Sequence, residues 1–387
     1  MKKKILFVND EITVGGVSKV LNNLLNVIDL NKYDVSLLIL HCHGDMLKDV
    51  PKGVKTIKGT KFFRVVDQSI GNLIKSCSFI LLLEKLWIYL LLKLGLIEKV
   101  IIKERKKMKL DNYDVEIAFK EGFCSIFVAS SDSKIKINWV HADYRVNNYA
   151  KNYMTYMKKI LNEFTYNVAV SKVAAVSFKE VFDLKNDVIV IHNIIEEELI
   201  INKSKEAINY RDDRFTFISV GRLHPQKGYN RLVESAKQLK DVGYLFAIYI
   251  IGDGELEQSI KKQIEENKLN DTIILLGKKT NPYKYVKQAD CFILSSLYEG
   301  LPTVVFESLI LKVPVLSLEV AGILEQLDDK YGIVVKNNQE ELSKLMKLVL
   351  DDHTLLNKYR DNLINYRYEN THIIKQVIDL IEGQYEQ

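Results

Sequence analysis

Arg222 and Lys227 stand five residues apart in Gly221-Arg-Leu-His-Pro-Gln-Lys-Gly228, a loop bounded by glycine. Two cations at that spacing could grip two phosphates, because guanidinium and ammonium groups both recognise phosphate oxygens. Taken in isolation, the same two residues read first as solvated surface charge. Gly15-Gly16 opens a helical pattern, where exposed amides and the helix dipole favour an anion; an ordinary turn from strand to helix fits equally well. No Asp-x-Asp occurs in the chain. Holding a diphosphate through a divalent metal usually takes such clustered carboxylates. Protein cations are therefore the expected counter-charge, with neither metal nor cofactor. Gly252-x-Gly254 is followed by Glu257 where the dinucleotide fingerprint has a third glycine. The Gly15-Gly16 loop does not match that fingerprint either, which disfavours a nicotinamide dehydrogenase.

The elements that must position these loops alternate. Residues 4–8 form a short apolar run, and Val17, Val20, Leu21, Leu24, Leu25 and Ile28 recur at helical spacing before a second apolar run at 33–40. Strand, glycine turn, helix and strand make a βαβ unit and imply a parallel sheet. Further strands are predicted at 114–119, 135–140, 167–170 and 188–192. The polar stretch 196–214 reads as a linker. Strands at 215–220, 244–251, 272–276, 291–295 and 313–318 then alternate with helices at 229–240, 255–267 and 282–288. With 387 residues, the chain exceeds one ordinary core. The expectation is an α/β protein of two Rossmann-like domains, 1–195 and 210–365, with a C-terminal helix near 366–387 packing back on the first. Two successive open sheets imply a cleft, with ligands outside the carboxyl ends of the strands.

Composition narrows the function classes. The chain is 47% hydrophobic and 27% charged, with a net charge of +5, which fits a globular protein and gives no case for nucleic acid. Cys42, Cys77, Cys124 and Cys291 form no Cys-x-x-Cys pair and read as reduced, mostly buried thiols of a cytoplasmic protein. The apolar run at 5–8 is too short for a signal-peptide core. Residues 79–97 are apolar but interrupted by Glu84, Lys85 and Lys93, which disfavours a membrane-spanning helix. A basic cluster of Lys99, Lys103, Arg105, Lys106, Lys107 and Lys109 follows. Residues 73–109, with Trp87, therefore read either as a peripheral element docking on an anionic membrane or as buried helices of the first domain.

Two segments become recognisable together: the loop 221–228 and Glu299-Gly-Leu-Pro-Thr-Val-Val-Phe-Glu307. They resemble the phosphate loop and the E-x₇-E motif of family-4 retaining glycosyltransferases of the GT-B fold, a group that includes many capsule, lipopolysaccharide and teichoic-acid enzymes. Ile251-Gly-Asp-Gly-Glu255, Ala289-Asp290, Ala321-Gly322-Ile-Leu-Glu325 and Tyr331-Gly332-Ile-Val-Val335 are similar to the same family, although Lys312 stands where the family often has glycine. In the first half Gly15-Gly16-Val17, Trp139-Val-His141, Val170-Ser171-Lys172 and His192-Asn193 follow in the family's order.

The resemblance implies a metal-independent hexosyltransferase that moves a sugar from a nucleotide-sugar donor, UDP-linked by family frequency, to a glycan or lipid-linked acceptor, with retention of configuration. It gives Arg222 and Lys227 the diphosphate, Glu307 the ribose hydroxyls, and Glu299 the transferred sugar or its anomeric charge. Gly221, Gly300, Leu301, Pro302, Thr303 and Val304 would contribute backbone around the donor. Gly15 and Gly16 would let backbone approach the phosphates, and His141 would reach the donor sugar. With no carboxylate placed as a nucleophile, front-face attack is expected. Against these stand chance spacing of Glu299 and Glu307, a core histidine at His141, a turn role for Ser171 and a capping role for Glu325. A same-fold epimerase or phosphorylase and a non-catalytic partner subunit are the rival functions; retention of Arg222, Lys227, Glu299 and Glu307 argues against the latter.

Overall fold

The computed structural model describes residues 2–13, 15–41, 44–68, 78–146, 153–210 and 212–385. Cys42, Cys77 and the 73–77 portion of the apolar stretch lie outside the described residues. The chain forms two compact units, one of residues 1–194 with 370–387 and one of residues 195–369.

The first unit is built on a parallel sheet of seven strands: β1 (Lys3–Asn9), β2 (Tyr33–Ile39), β3 (Lys55–Lys58), β4 (Val115–Ala118), β5 (Ile135–Val140), β6 (Tyr166–Ala169) and β7 (Ile189–Val190), in the order β3-β2-β1-β4-β5-β6-β7. β1 pairs with β2 from Lys3 opposite Tyr33 to Asn9 opposite Ile39. Ile5, Leu6, Phe7 and Val8 are all fully buried, so both faces of this strand are covered, as a parallel sheet requires. Phe63 stands edge-on to Phe123 and Phe127 in the core beneath. The predicted 188–192 strand shrinks to two residues at the sheet edge, and β3, an alternating Lys-Thr-Ile-Lys edge strand, has too little apolar content to be read from sequence.

The second unit repeats the plan with β8 (Phe215–Val220), β9 (Phe246–Ile251), β10 (Ile273–Gly277), β11 (Cys291–Leu294), β12 (Val315–Leu318) and β13 (Gly332–Val335), in the order β10-β9-β8-β11-β12-β13. In each sheet the order reverses beside the unit's first strand, at β1/β4 and at β8/β11. The loops leaving these strand ends are where doubly wound sheets bind ligands.

The linker expected at 196–214 is instead part of the second unit. Glu197–Ser204 is a helix with acidic residues in its first turn, which suits the dipole. The segment is sewn down by Asn281 Nδ2 donating to the Lys203 carbonyl at 2.9 Å and by Gln288 Nε2 donating to the Ile208 carbonyl at 3.0 Å. Its polarity hid these contacts. The C-terminal helix Thr371–Glu382 counts with the first unit, where Glu382 meets Lys3 at 3.2 Å, Lys32 at 2.7 Å and the Tyr33 hydroxyl at 2.6 Å.

Candidate functional site

In the second unit the loops after β8 and β11 are locked together. Lys227 Nζ lies 2.6 Å from Glu299 Oε1, which also accepts from Ser296 Oγ at 2.7 Å. Gln226 Nε2 donates to Glu299 Oε2 at 3.3 Å and to the Tyr298 carbonyl at 3.0 Å. The backbones are tied as well, through the Leu297 amide on the Gln226 carbonyl at 2.7 Å and Ser295 Oγ on the Lys227 carbonyl at 2.8 Å. Gly228 makes this approach possible: its φ is +64°, and a Cβ there would stand 2.3 Å from the Ser295 carbonyl oxygen. Only glycine tolerates both. On the other side, the Gly221 amide bonds the Ile251 carbonyl at 2.9 Å and the Leu223 amide the Asp253 carbonyl at 2.7 Å. The Gly252-Asp-Gly254 turn thus buttresses the phosphate-type loop instead of forming a dinucleotide fingerprint.

Lys227 is partly buried and paired, whereas Arg222 is exposed and its guanidinium makes no hydrogen bond or ion pair among the described residues. One cation is held in place and the other is available. Glu299 is 8% exposed and Glu307 5% exposed, so neither is the surface glutamate that chance spacing would leave. Glu307 sits inside the helix Thr303–Ile310, which starts after Pro302 with no side-chain cap. Its first amides, at Thr303 and Val304, are left without intrahelical acceptors and point their dipole out of the loop that also holds Gly300 and Leu301. Gln326 Nε2 donates to the Pro302 carbonyl at 2.9 Å, fixing that loop from the neighbouring helix Ile323–Leu327, in whose first turn Glu325 lies.

In the first unit Gly15 and Gly16 start the helix Gly16–Val27 after β1. Nothing lies within 4 Å of a Cβ built at Gly16, so the fold itself does not require glycine there. His141 follows β5; its Nε2 lies 2.8 Å from the Phe119 carbonyl, and its amide donates to Glu121 Oε2 at 3.1 Å. The carbonyl can only accept, which places the proton on Nε2. Burial holds the ring's pKa down at about 4, so the imidazole is neutral with Nδ1 as its acceptor. Burial also raises the Glu121 carboxyl to about 7. Lys120 pairs with the buried Asp10 at the end of β1. Ser171 caps the helix Lys172–Phe182 by accepting from the Ala174 amide at 3.2 Å, the turn role weighed for it. Among the described residues no three His, Cys, Asp or Glu side chains gather to hold a metal ion.

The structure therefore brings Lys227 and Glu299 into contact and sets them on loops shared with Arg222, Gly221 and residues 300–304. Gly15, Gly16 and His141 stand at strand ends of the other unit. Sequence reading missed the brace around the pair. Gln226 lay inside the quoted loop and Ser296 three residues before Glu299, but neither carried a role. Arg231 and Asn337 carried no signal at all: Arg231 bonds Asn337 Oδ1 at 2.9 Å and the Ser295 carbonyl at 2.9 Å, and Asn337 Nδ2 donates to the Leu297 carbonyl at 3.1 Å.

Residues 200–370 match the family described as Glycosyl transferases group 1. An uncharacterized glycosyltransferase of Methanocaldococcus jannaschii is 31% identical over 238 residues, covering 52% of this chain and 59% of that protein. The Campylobacter jejuni N-acetylgalactosamine-N,N'-diacetylbacillosaminyl-diphospho-undecaprenol 4-alpha-N-acetylgalactosaminyltransferase is 30% identical over 175 residues, covering 44% and 47%. The chain thus spans about half the length of the curated relatives it matches. Among solved structures, Anabaena HepE in complex with UDP superposes with a TM-score of 0.71 at 15% identity, covering 98% of this chain and 100% of that one. Staphylococcus aureus TarM gives 0.69 at 15%, covering 98% and 99%. At such identity these likenesses establish the fold. Over residues 200–370, in its second unit, this chain is similar to the glycosyl transferases group 1 family, and it shares the GT-B fold of these solved structures.

Proposed function

We propose that the protein is a retaining, metal-independent glycosyltransferase of cell-surface polysaccharide synthesis, moving a hexose-type sugar from a UDP-sugar to a glycan or lipid-linked acceptor. The observation that carries this reading is the pair of partly buried Lys227 and buried Glu299 beside exposed Arg222 and the uncapped start of Thr303–Ile310. Together they supply two cations, oriented amides and a carboxylate at one switch point. The relatives support the finer terms: the Campylobacter enzyme's name specifies a diphospho-undecaprenol acceptor, and HepE binds UDP.

In this reading Arg222, Lys227 and the amides at 303–304 take the diphosphate, and Glu307 takes the ribose. The acceptor oxygen attacks the anomeric carbon on the face the phosphate is leaving. The carbon–oxygen bond to phosphate breaks with its electrons going to the phosphate oxygen, which receives the acceptor's proton. Negative charge on the leaving group grows toward the transition state, so cations placed there act on rate more than on ground-state binding. The acceptor is assigned to the first unit.

Lys227→Ala tests the assignment. Turnover of UDP-sugar should fall by about 10²-fold or more, the usual scale for a lost oxyanion contact, with the fold intact by circular dichroism. Near-normal turnover would remove the phosphate role, and absence of any thermal shift with UDP or GDP in the native chain would remove the enzyme.

A further inference from the structure

The helix Thr303–Ile310 ends on a strained residue. The Val313 amide bonds the Ser308 carbonyl at 3.0 Å, and the Lys312 amide bonds the Leu309 carbonyl at 3.0 Å. This pair of bonds closes a helix through one left-handed residue, a place that glycine fills without steric cost. Lys312 fills it here, with φ +66°. A side chain disfavours that conformation, and what this one reaches is what offsets the strain.

Lys312 Nζ donates to the Tyr366 carbonyl at 2.5 Å and stands 5.8 Å from the centre of the Tyr366 ring, within range of a cation–π attraction. Tyr366 begins the irregular stretch 366–370 after the helix Asn357–Leu363, where the chain leaves the second unit at 369. The stretch is held from the other side as well. The Tyr366 ring stands edge-on to Tyr331 at 5.0 Å, and Asn362 Nδ2 donates to the Lys330 carbonyl at 2.8 Å. A second contact joins it to the same helix: buried Phe306 lies 4.7 Å, centre to centre, from the Tyr368 ring. The helix is thus gripped at its end by Lys312 and along one side by Phe306, the neighbour of Glu307.

A helix of eight residues is too short to be stable by itself, so tertiary contacts must place it. Gln326 on the Pro302 carbonyl does so at its start. We propose that Lys312 does so at its end, as a positioning residue: its ammonium sets Thr303–Ile310 against the stretch 366–368, and with the helix go Glu307 and the amides at 303–304. The inference rests on the donor assignment made above.

Three substitutions separate placement from strain. Lys312→Gly removes the tether and the strained conformation together, Lys312→Met removes only the tether, and Lys312→Arg keeps a cationic donor. The Tyr366 carbonyl retains Arg367 Nη1 at 2.9 Å in each. Melting temperature should therefore hold or rise in Lys312→Gly and fall in Lys312→Met. UDP affinity, by isothermal titration, should fall about fivefold in both and recover in Lys312→Arg. Glu307 would hold the ribose in ground and transition state alike, so donor KM should rise with kcat changed less. Without ligand, amide hydrogen exchange over 305–313 should quicken in the glycine and methionine variants. The proposal is overturned if Lys312→Gly binds UDP as tightly as the native chain, or if UDP affinity follows melting temperature across the three. The exchange measurement needs no donor. A native chain that ignores UDP sinks the donor assignment, whereas unchanged exchange in Lys312→Gly sinks the role of Lys312 whatever the donor.

Discussion

Glu299 holds Lys227 at 2.6 Å while Ser296 and Gln226 occupy its other lone pairs. The lysine's charge is therefore already partly spent before any ligand arrives. Glu299→Gln should release it: affinity for UDP should rise, while turnover should drop about 10²-fold, because in the proposed reaction the carboxylate facing a developing positive centre is gone. Isothermal titration and steady-state kinetics read the two effects separately, and equal losses in both would make Glu299 a mere brace. Glu121 offers a second test. Its folded pKa, raised by burial from 4.5 to about 7, means that the folded state binds the proton more tightly than the unfolded one. Its contribution to stability is complete below about pH 4.5 and is lost as pH rises through 7. Glu121→Gln keeps an acceptor for the His141 amide and should stabilise the protein at pH 8 by at most about 3 kcal/mol. The gain should vanish near pH 4.5, as followed by denaturant titration. His141 has the opposite sign. Lowered to about 4, it is neutral throughout the range where a free histidine titrates, so the pH–rate profile should show no step near 6.5 from this residue.

Glycine positions separate what an element needs from what a ligand needs. At Gly228 the backbone itself demands glycine, by its φ of +64° and by the 2.3 Å approach to Ser295. Gly228→Ala should cost about 1–3 kcal/mol and pull the 221–228 loop off the 295–299 loop, losing UDP binding with stability. Gly16 has open space around it and lies in a helix, where alanine is favoured by up to about 1 kcal/mol. Gly16→Ala should therefore hold or raise the melting temperature and still cut turnover at least tenfold if donor phosphates pass there; full activity would free Gly16 of that role. The same division explains what was legible in sequence. Strands such as 135–140 and 215–220 announce themselves because both faces are covered and their apolar runs are unbroken. The charged β3 and the polar Glu197–Ser204 helix do not, because their stability comes from neighbours distant in sequence. At the site, Arg222 and Lys227 were visible as two cations on a glycine-bounded loop, and Glu299 and Glu307 through resemblance to a family motif. The Gln226–Glu299 bond and the Arg231–Asn337 link were not, since parallel topology alone brings together residues 73 and 106 positions apart.

The first unit is discontinuous: the chain leaves it at 194 and re-enters at 370. The returning helix buries Ile373, Val377, Leu380 and Ile381, and its Glu382 ties down Lys3, Lys32 and Tyr33 at the start of β1 and β2. Burying one large aliphatic side chain is worth about 1.5–3 kcal/mol, so four together approach the whole stability of an ordinary domain, about 5–15 kcal/mol. The second unit draws on a separate core around Phe217, Phe246, Ile248 and Ile250. Ending the chain after Glu369 should therefore abolish the calorimetric transition of the first unit and spare that of the second. Because Arg222, Lys227, Glu307 and the amides at 303–304 all lie in the second unit, the surviving transition should still move upward with UDP, although transfer is lost. If the truncated chain keeps both transitions, the helix is dispensable. If the remaining transition ignores UDP that the intact chain binds, the nucleotide also depends on residues of the first unit, and the second-unit loops do not hold it by themselves.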